Sequence, residues 1–107
     1  MNDPCVRTPI EGPCVWVFNG GNNAFPSAVF STCDNAEAWI REHGLSGTLT
    51  AYPLDMSVYD WVIGQEYWQP KRDDQRTAEF IANFSSAYTG HEHYVDGLSS
   101  GESASED

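Results

Sequence analysis

The residues in this chain best suited to chemistry are two histidines separated by one glutamate, His91-Glu92-His93. On an extended strand the period of two puts both imidazoles on one face and Glu92 on the other. A two-histidine metal site uses that arrangement when a third ligand arrives from elsewhere. His43 and Asp96 are the candidates for that ligand. Zinc sites of this kind normally show a clearer third and fourth ligand, so an exposed or hydrogen-bonded pair beside an acidic tail is the plainer expectation. No cofactor is expected. Tyr59-Asp60-Trp61 sets an acid between aromatic rings, as sugar-binding clefts do, but a glycosidase needs two carboxylates about 5 to 10 Å apart across a cleft. A short chain leaves little room for one, and a helix with Tyr59 and Ile63 inward and Asp60 in water explains the triplet.

Nucleophiles fare no better. Ser31, Ser46, Ser85 and Ser86 lack the strand-turn-helix context of a nucleophile elbow. Cys33 stands just before a predicted helix N-terminus, where a thiol pKa can fall, and a pairing with His43 or His91 is the arrangement to test. The run Asn19-Gly20-Gly21-Asn22-Asn23 invites comparison with a phosphate cradle. Such a cradle needs GxxxxGK[ST] or GxGxxG feeding a helix. Here the glycines are adjacent, no Lys or Arg occurs between Arg7 and Arg41, and Phe25-Pro26 follows. Gly and Asn tolerate left-handed backbone, so the segment reads as a hairpin connection.

The elements around these residues read as one small domain. The chain has 107 residues, 40% of them hydrophobic, enough to build a core without staples. Cys14-Val15-Trp16-Val17-Phe18 is apolar on both faces, the pattern of a central strand buried on two sides, with Cys14 as a core residue. Phe25 to Phe30 is a second strand, delayed by Pro26. Asp34-Asn35-Ala36-Glu37 matches a capping box, and Ala36, Trp39, Ile40 and His43 give a helix stripe that Gly44 ends. His43 reads as a C-terminal cap of that helix.

Thr48 to Tyr52 is the third strand. Asp55 caps a second helix through Val62 and Ile63 toward the Gln69-Pro70 stop, and Thr77 starts a third along Phe80, Ile81, Phe84 and Tyr88. His91 to Val95 closes the fold. The order β-β-α-β-α-α-β describes an α+β domain with its sheet packed against helices. Residues 1–12 read as a flexible arm, 13–97 as the domain, and 98–107 as a disordered acidic tail.

At this point the chain resembles a family of small, uncharacterised bacterial domains. The resemblance rests on Trp16-Val17-Phe18-Asn19-Gly20, Phe25-Pro26-Ser27, Val29-Phe30, Ala36-Glu37-Ala38-Trp39-Ile40, His43, Leu45-Ser46-Gly47-Thr48-Leu49-Thr50-Ala51-Tyr52-Pro53-Leu54-Asp55, Tyr59-Asp60-Trp61, and Phe84-Ser85-Ser86-Ala87-Tyr88 with the following His91-Glu92-His93-Tyr94. It covers about residues 15 to 97 and implies no reaction.

Charge supplies the remaining signal. Sixteen carboxylates against five Lys and Arg give a formal charge of −11, which repels nucleic acid and anionic lipid and favours a basic partner. Three cysteines without a CxxC pair suit a reduced compartment. No apolar run reaches the roughly 20 residues that cross a bilayer, and the first residues lack a signal-peptide pattern, so the cytoplasm is expected. Tyr and Trp are common interface anchors, which makes Asp55, Tyr59, Asp60, Glu66, Tyr67 and Trp68 the expected partner surface. The expected function is a small acidic binding protein, an immunity protein or antitoxin that neutralises a basic, nuclease-type toxin. A metal-dependent module or small enzyme around His91 and His93, and an inhibitor that mimics nucleic acid, are the alternatives.

Overall fold

The computed structural model describes residues 8–21 and 25–99. The first seven residues of the expected arm, the tip of the first loop and the acidic tail from residue 100 lie outside the described residues. Five strands, β1 (Cys14–Gly20), β2 (Ala28–Phe30), β3 (Gly47–Pro53), β4 (His91–Val95) and β5 (Leu98–Ser99), form one antiparallel sheet in the order β2-β1-β3-β4-β5. The α+β class and the sequence order of its main elements are as expected. Leu98 and Ser99, which composition assigns to the tail, instead pair with β4.

β1 lies between two neighbours, yet it is not buried on both sides. Trp16 and Phe18 are 4% and 2% exposed, whereas Val15 and Val17 on the opposite face are only half-buried. Alternation of the pleat explains the split: only one face of this sheet is covered by α1 (Cys33–His43). Ala36 and Ile40 of that helix are fully buried against Trp16, Phe18, Leu49, Ala51 and Tyr94. Trp39 sits edge-on to Phe18 at 5.6 Å and 5.5 Å from Phe30, which ties β2 down. Cys14 is half-buried and carries a free thiol.

The start of α1 lies two residues before the expected box. Thr32, in extended backbone, accepts from the Asn35 amide at 3.1 Å, so Thr32 and not Asp34 is the N-cap. A threonine hydroxyl is also a good N-cap acceptor, so the helix starts two residues earlier. At the other end Gly44 takes the left-handed conformation (φ 62), and the Gly44 and Leu45 amides reach Arg41 and Ile40 carbonyls. That is the glycine C-cap read from sequence.

The second half is shorter-jointed than its periodicity suggests. α2 (Val58–Gly64) is capped by Ser57, not Asp55, and stops at Gly64. A 3-10 turn (Asp73–Arg76) leads into α3 (Ala78–Asn83), capped by Thr77. The stripe toward Tyr88 does not continue as helix, because Phe84 leaves helical backbone at ψ 135 and a separate 3-10 turn spans Ala87–Thr89. Aromatic packing holds these short pieces in place. Buried Tyr59 sits edge-on to Trp68, Phe80 and Phe84 at 5.8, 6.3 and 5.5 Å. Its hydroxyl donates to the Gln75 carbonyl at 2.8 Å, which fastens the 3-10 turn to α2. Such ring contacts contribute about 0.5–1.5 kcal/mol each beyond burial, enough to fix helices too short to persist alone.

Candidate functional site

The residues of chemical promise are kept apart. His91 and His93 stand exposed on β4 with ring centroids 5.0 Å apart, and the Thr48 hydroxyl lies 3.2 Å from Nδ1 of His93. Their register partners are Thr50 and Thr48, so they project from the face opposite Leu49 and the α1 side of the sheet. His43 rides on α1 against Trp39 at 6.0 Å. The sheet therefore separates it from the histidine pair. Asp96 occupies the β4–β5 turn with left-handed backbone (φ 52). Among the described residues no group of three His, Cys, Asp or Glu could hold a metal ion. Cys33 is disulfide-bonded and so supplies no thiolate. This departs from the expectation of three reduced cysteines, since cysteine count alone does not reveal which side chains fold together.

The carboxylates and rings around α2 do assemble. Asp60 projects into solvent one residue after buried Tyr59, as the helix period requires. Asp60 and Glu11 border a cleft of about 350 Å³ whose apolar walls are Ile10, Pro13, Pro53, Leu54, Met56 and Trp61. Among the described residues no Lys or Arg lines it. The arm is held beside it by backbone, the Leu54 amide donating to the Pro13 carbonyl at 3.0 Å. Ile10 also packs on the core. Leu54 and Met56 are 49% and 50% exposed at its mouth.

Two further acids bracket α2 in costly conformations. Asp55 has φ 63 and Glu66 has φ 64, a region that costs a non-glycine residue roughly 1 kcal/mol or more. At Glu66 the cause is visible: its amide bonds the Ile63 carbonyl and the Tyr67 amide bonds Val62, both at 3.0 Å. This closing turn usually takes glycine, and a glutamate here points a carboxylate outward from the helix end.

An exposed aromatic pair adjoins the cleft. Trp61, in the cleft wall, meets Tyr67 edge-on at 5.5 Å, and Tyr67 packs on Tyr88 at 4.7 Å. Tyr67 and Tyr88 are 42% and 58% exposed. Of the six residues expected to contact a partner, Asp55, Asp60, Glu66 and Tyr67 are exposed near one another in sequence around α2. Tyr59 is core, and Trp68 is half-buried, stacked on Phe80 at 6.0 Å. These two build the platform and do not form its surface. Glu11, Leu54, Met56 and Tyr88 escaped the sequence reading. Glu11 falls in a stretch read as a loose arm, and Tyr88 in a stripe read as buried helix.

Electrostatics favour one side of this surface. The described arginines sit elsewhere and are engaged with acids: Arg41 with Glu37 at 3.5 Å, Arg72 with Asp74 at 3.0 Å and Arg76 with Asp73 at 3.6 Å. The hydrogen bond from Arg72 holds the Asp74 carboxyl below the usual carboxylate range. Glu11, Asp55, Asp60 and Glu66 make no ion pair among the described residues. A second, more open depression of about 680 Å³ has Phe80 and Phe84 in its lining and Asp74 and Glu79 beside them. No helix among the described residues is long and apolar enough to cross a membrane.

The family described as "Domain of unknown function (DUF7710)" matches residues 15–100. No curated protein and no solved structure matches the chain.

Proposed function

The chain belongs to the DUF7710 family of domains of unknown function, and we propose that it acts as a small acidic binding protein that captures a basic protein partner. The observation that carries this reading is the cleft beside α2: apolar walls and two carboxylates that, among the described residues, have no ion-pair partner and no base beside them in the lining. A lysine or arginine fits such a site in both of its parts. The aliphatic stem lies along Leu54, Met56 and Trp61, and the charged head meets Asp60 or Glu11. Tyr67 and Tyr88 beside it supply flat, semi-rigid contact area of the kind that anchors interfaces. Asp55 and Glu66 extend the negative field around the cleft and speed encounter with a positive surface.

In its most concrete form the partner is a nuclease-type toxin, whose basic groove the protein neutralises as an immunity protein or antitoxin. Size, net charge of −11 and the acid-rimmed cleft support it. The test uses the product of the gene adjoining this one, where that product is basic, with calorimetric titration at low and high salt. Binding that weakens steeply with salt, and weakens again on Asp60→Lys with unchanged folding, is the expected result. Binding indifferent to salt and to charge reversal at Glu11, Asp55, Asp60 and Glu66 would remove the reading.

A further inference from the structure

We infer that His91 and His93 form a two-histidine chelate for a borderline divalent transition ion (zinc, nickel or copper) on the face of the sheet away from α1. Both histidines are exposed, and the register sets Thr50 opposite His91 and Thr48 opposite His93. The strand period of two therefore holds the imidazoles side by side through the backbone. Thr48 and Thr50 are small and half-buried, so the pair rises above its neighbours on β3. On the other side β5 pairs with Tyr94 and Val95, beyond the two histidines.

Distance decides the ligation. An imidazole nitrogen binds zinc at about 2.0–2.1 Å, which sets the ring centroid about 3.2 Å from the ion. Two centroids 5.0 Å apart then subtend roughly 100° at a shared ion, between the angle of about 90° for neighbouring square-planar ligands and about 109° for tetrahedral ones. The rings lie at 83° to each other, so they do not stack. Turning two exposed side chains about χ2, a soft torsion, aims both nitrogens at one point.

Thr48 orients the chelate. Its hydroxyl oxygen lies 3.2 Å from Nδ1 of His93. When the Nδ1–H of His93 donates to that oxygen, the tautomer places the ring's lone pair on Nε2, and a ligating histidine commonly donates its other N–H to a neighbour in this way. Charge adds attraction, since a chain of −11 draws cations toward its surface. Imidazole selects among them: magnesium and calcium prefer oxygen ligands, whereas zinc, nickel and copper suit nitrogen. His43, across the sheet, takes no part, and water completes the coordination. With two of the four protein ligands of a structural site, the dissociation constant falls at roughly 1–200 μM, an exchangeable site rather than a folding centre.

Calorimetric titration of the untagged, chelator-free full chain with nickel or zinc chloride, read beside heteronuclear NMR spectra, tests the inference. The expected result is one ion per chain, paramagnetic broadening by nickel centred on His91, His93 and Thr48 with His43 spared, and persistence in excess magnesium. His91→Asn and His93→Asn should each weaken binding tenfold or more. Thr48→Val should weaken it severalfold and Thr48→Ser restore it, as a positioning hydrogen bond requires. His43→Asn should leave it unchanged. No binding of either metal at about 1 mM overturns the inference. So does binding that neither histidine substitution weakens while far-ultraviolet dichroism shows the variants folded, or displacement of nickel by an equal concentration of magnesium, the mark of a carboxylate site. Tyr67→Ala, beside the cleft, should leave metal binding unchanged, and loss of the metal site leaves the cleft reading intact.

Discussion

Gly20 and Gly47 face each other across β1 and β3, and replacing each by alanine should have opposite effects. A Cβ built on Gly47 runs into the carbonyl oxygen of Asn19 and comes within 2.7 Å of Cζ of Phe18. Phe18 is 2% exposed and fixed against Trp39, so it cannot swing away. Normal carbon contact at about 3.5–4.0 Å requires the ring to retreat by roughly 1 Å, and the strands must part at Asn19. Overpacking of this kind costs about 1–3 kcal/mol, and a weakened ladder bond adds about 1 kcal/mol. Gly47→Ala should thus destabilise by about 2–4 kcal/mol. With a urea slope of about 2 kcal/mol per molar, the unfolding midpoint falls by about 1–2 M.

At Gly20 nothing described lies within 4 Å of the added Cβ and no positive φ needs glycine. Gly20→Ala removes unfolded-chain entropy only, so the midpoint should hold or rise by a few tenths molar, corresponding to about 0.5 kcal/mol. Tryptophan fluorescence reports both, since Trp16 sits on β1 in the buried cluster. Equal midpoint shifts for the two variants, or a destabilisation by Gly20→Ala as large as that by Gly47→Ala, would show that the close approach at Gly47 does not exist.

Other substitutions probe the remaining features. Burial, followed by the Glu37 carboxylate, its hydrogen bond and Glu92, pushes the Tyr94 phenol above its ordinary value of 10.0. The folded state therefore favours the neutral phenol; that contribution is whole below about pH 10 and is lost as pH rises beyond it. Urea midpoints should fall above that pH more steeply in the native chain than in Tyr94→Phe, and parallel curves would contradict the assignment. Thr89 is fully buried and its hydroxyl finds no partner among the described residues. Thr89→Val should be neutral or stabilise by up to about 2 kcal/mol, where an ordinary buried, bonded threonine would lose stability. Ser57→Ala removes the acceptor of the Asp60 amide at 2.9 Å and should cost about 1 kcal/mol by thermal unfolding. Reduction of the disulfide at Cys33 should lower the urea midpoint, by about 2–4 kcal/mol in stability, and an unchanged midpoint would show that the bond is not formed in solution.

Local patterns in the chain determine a good deal. Runs of β-formers place β1, β3 and β4, glycine at 44 ends α1, and the excess of carboxylates sets the net charge of −11, because each depends on neighbours in sequence or on a simple count. Tertiary structure decided what depends on residues far apart. It chose Thr32 over Asp34 and Ser57 over Asp55 as caps, since several acceptors were chemically adequate and packing selected the helix start. It buried Tyr59 while exposing Tyr88, although both lay on apolar stripes, because α3 ends at Phe84 and the chain turns outward. It put His43 and the His91–His93 pair on opposite sides of the sheet, which no spacing reveals. The cleft itself joins Glu11 of the arm to Asp60 of α2, two carboxylates 49 positions apart, and only the folding of the arm against the end of β3 brings them together.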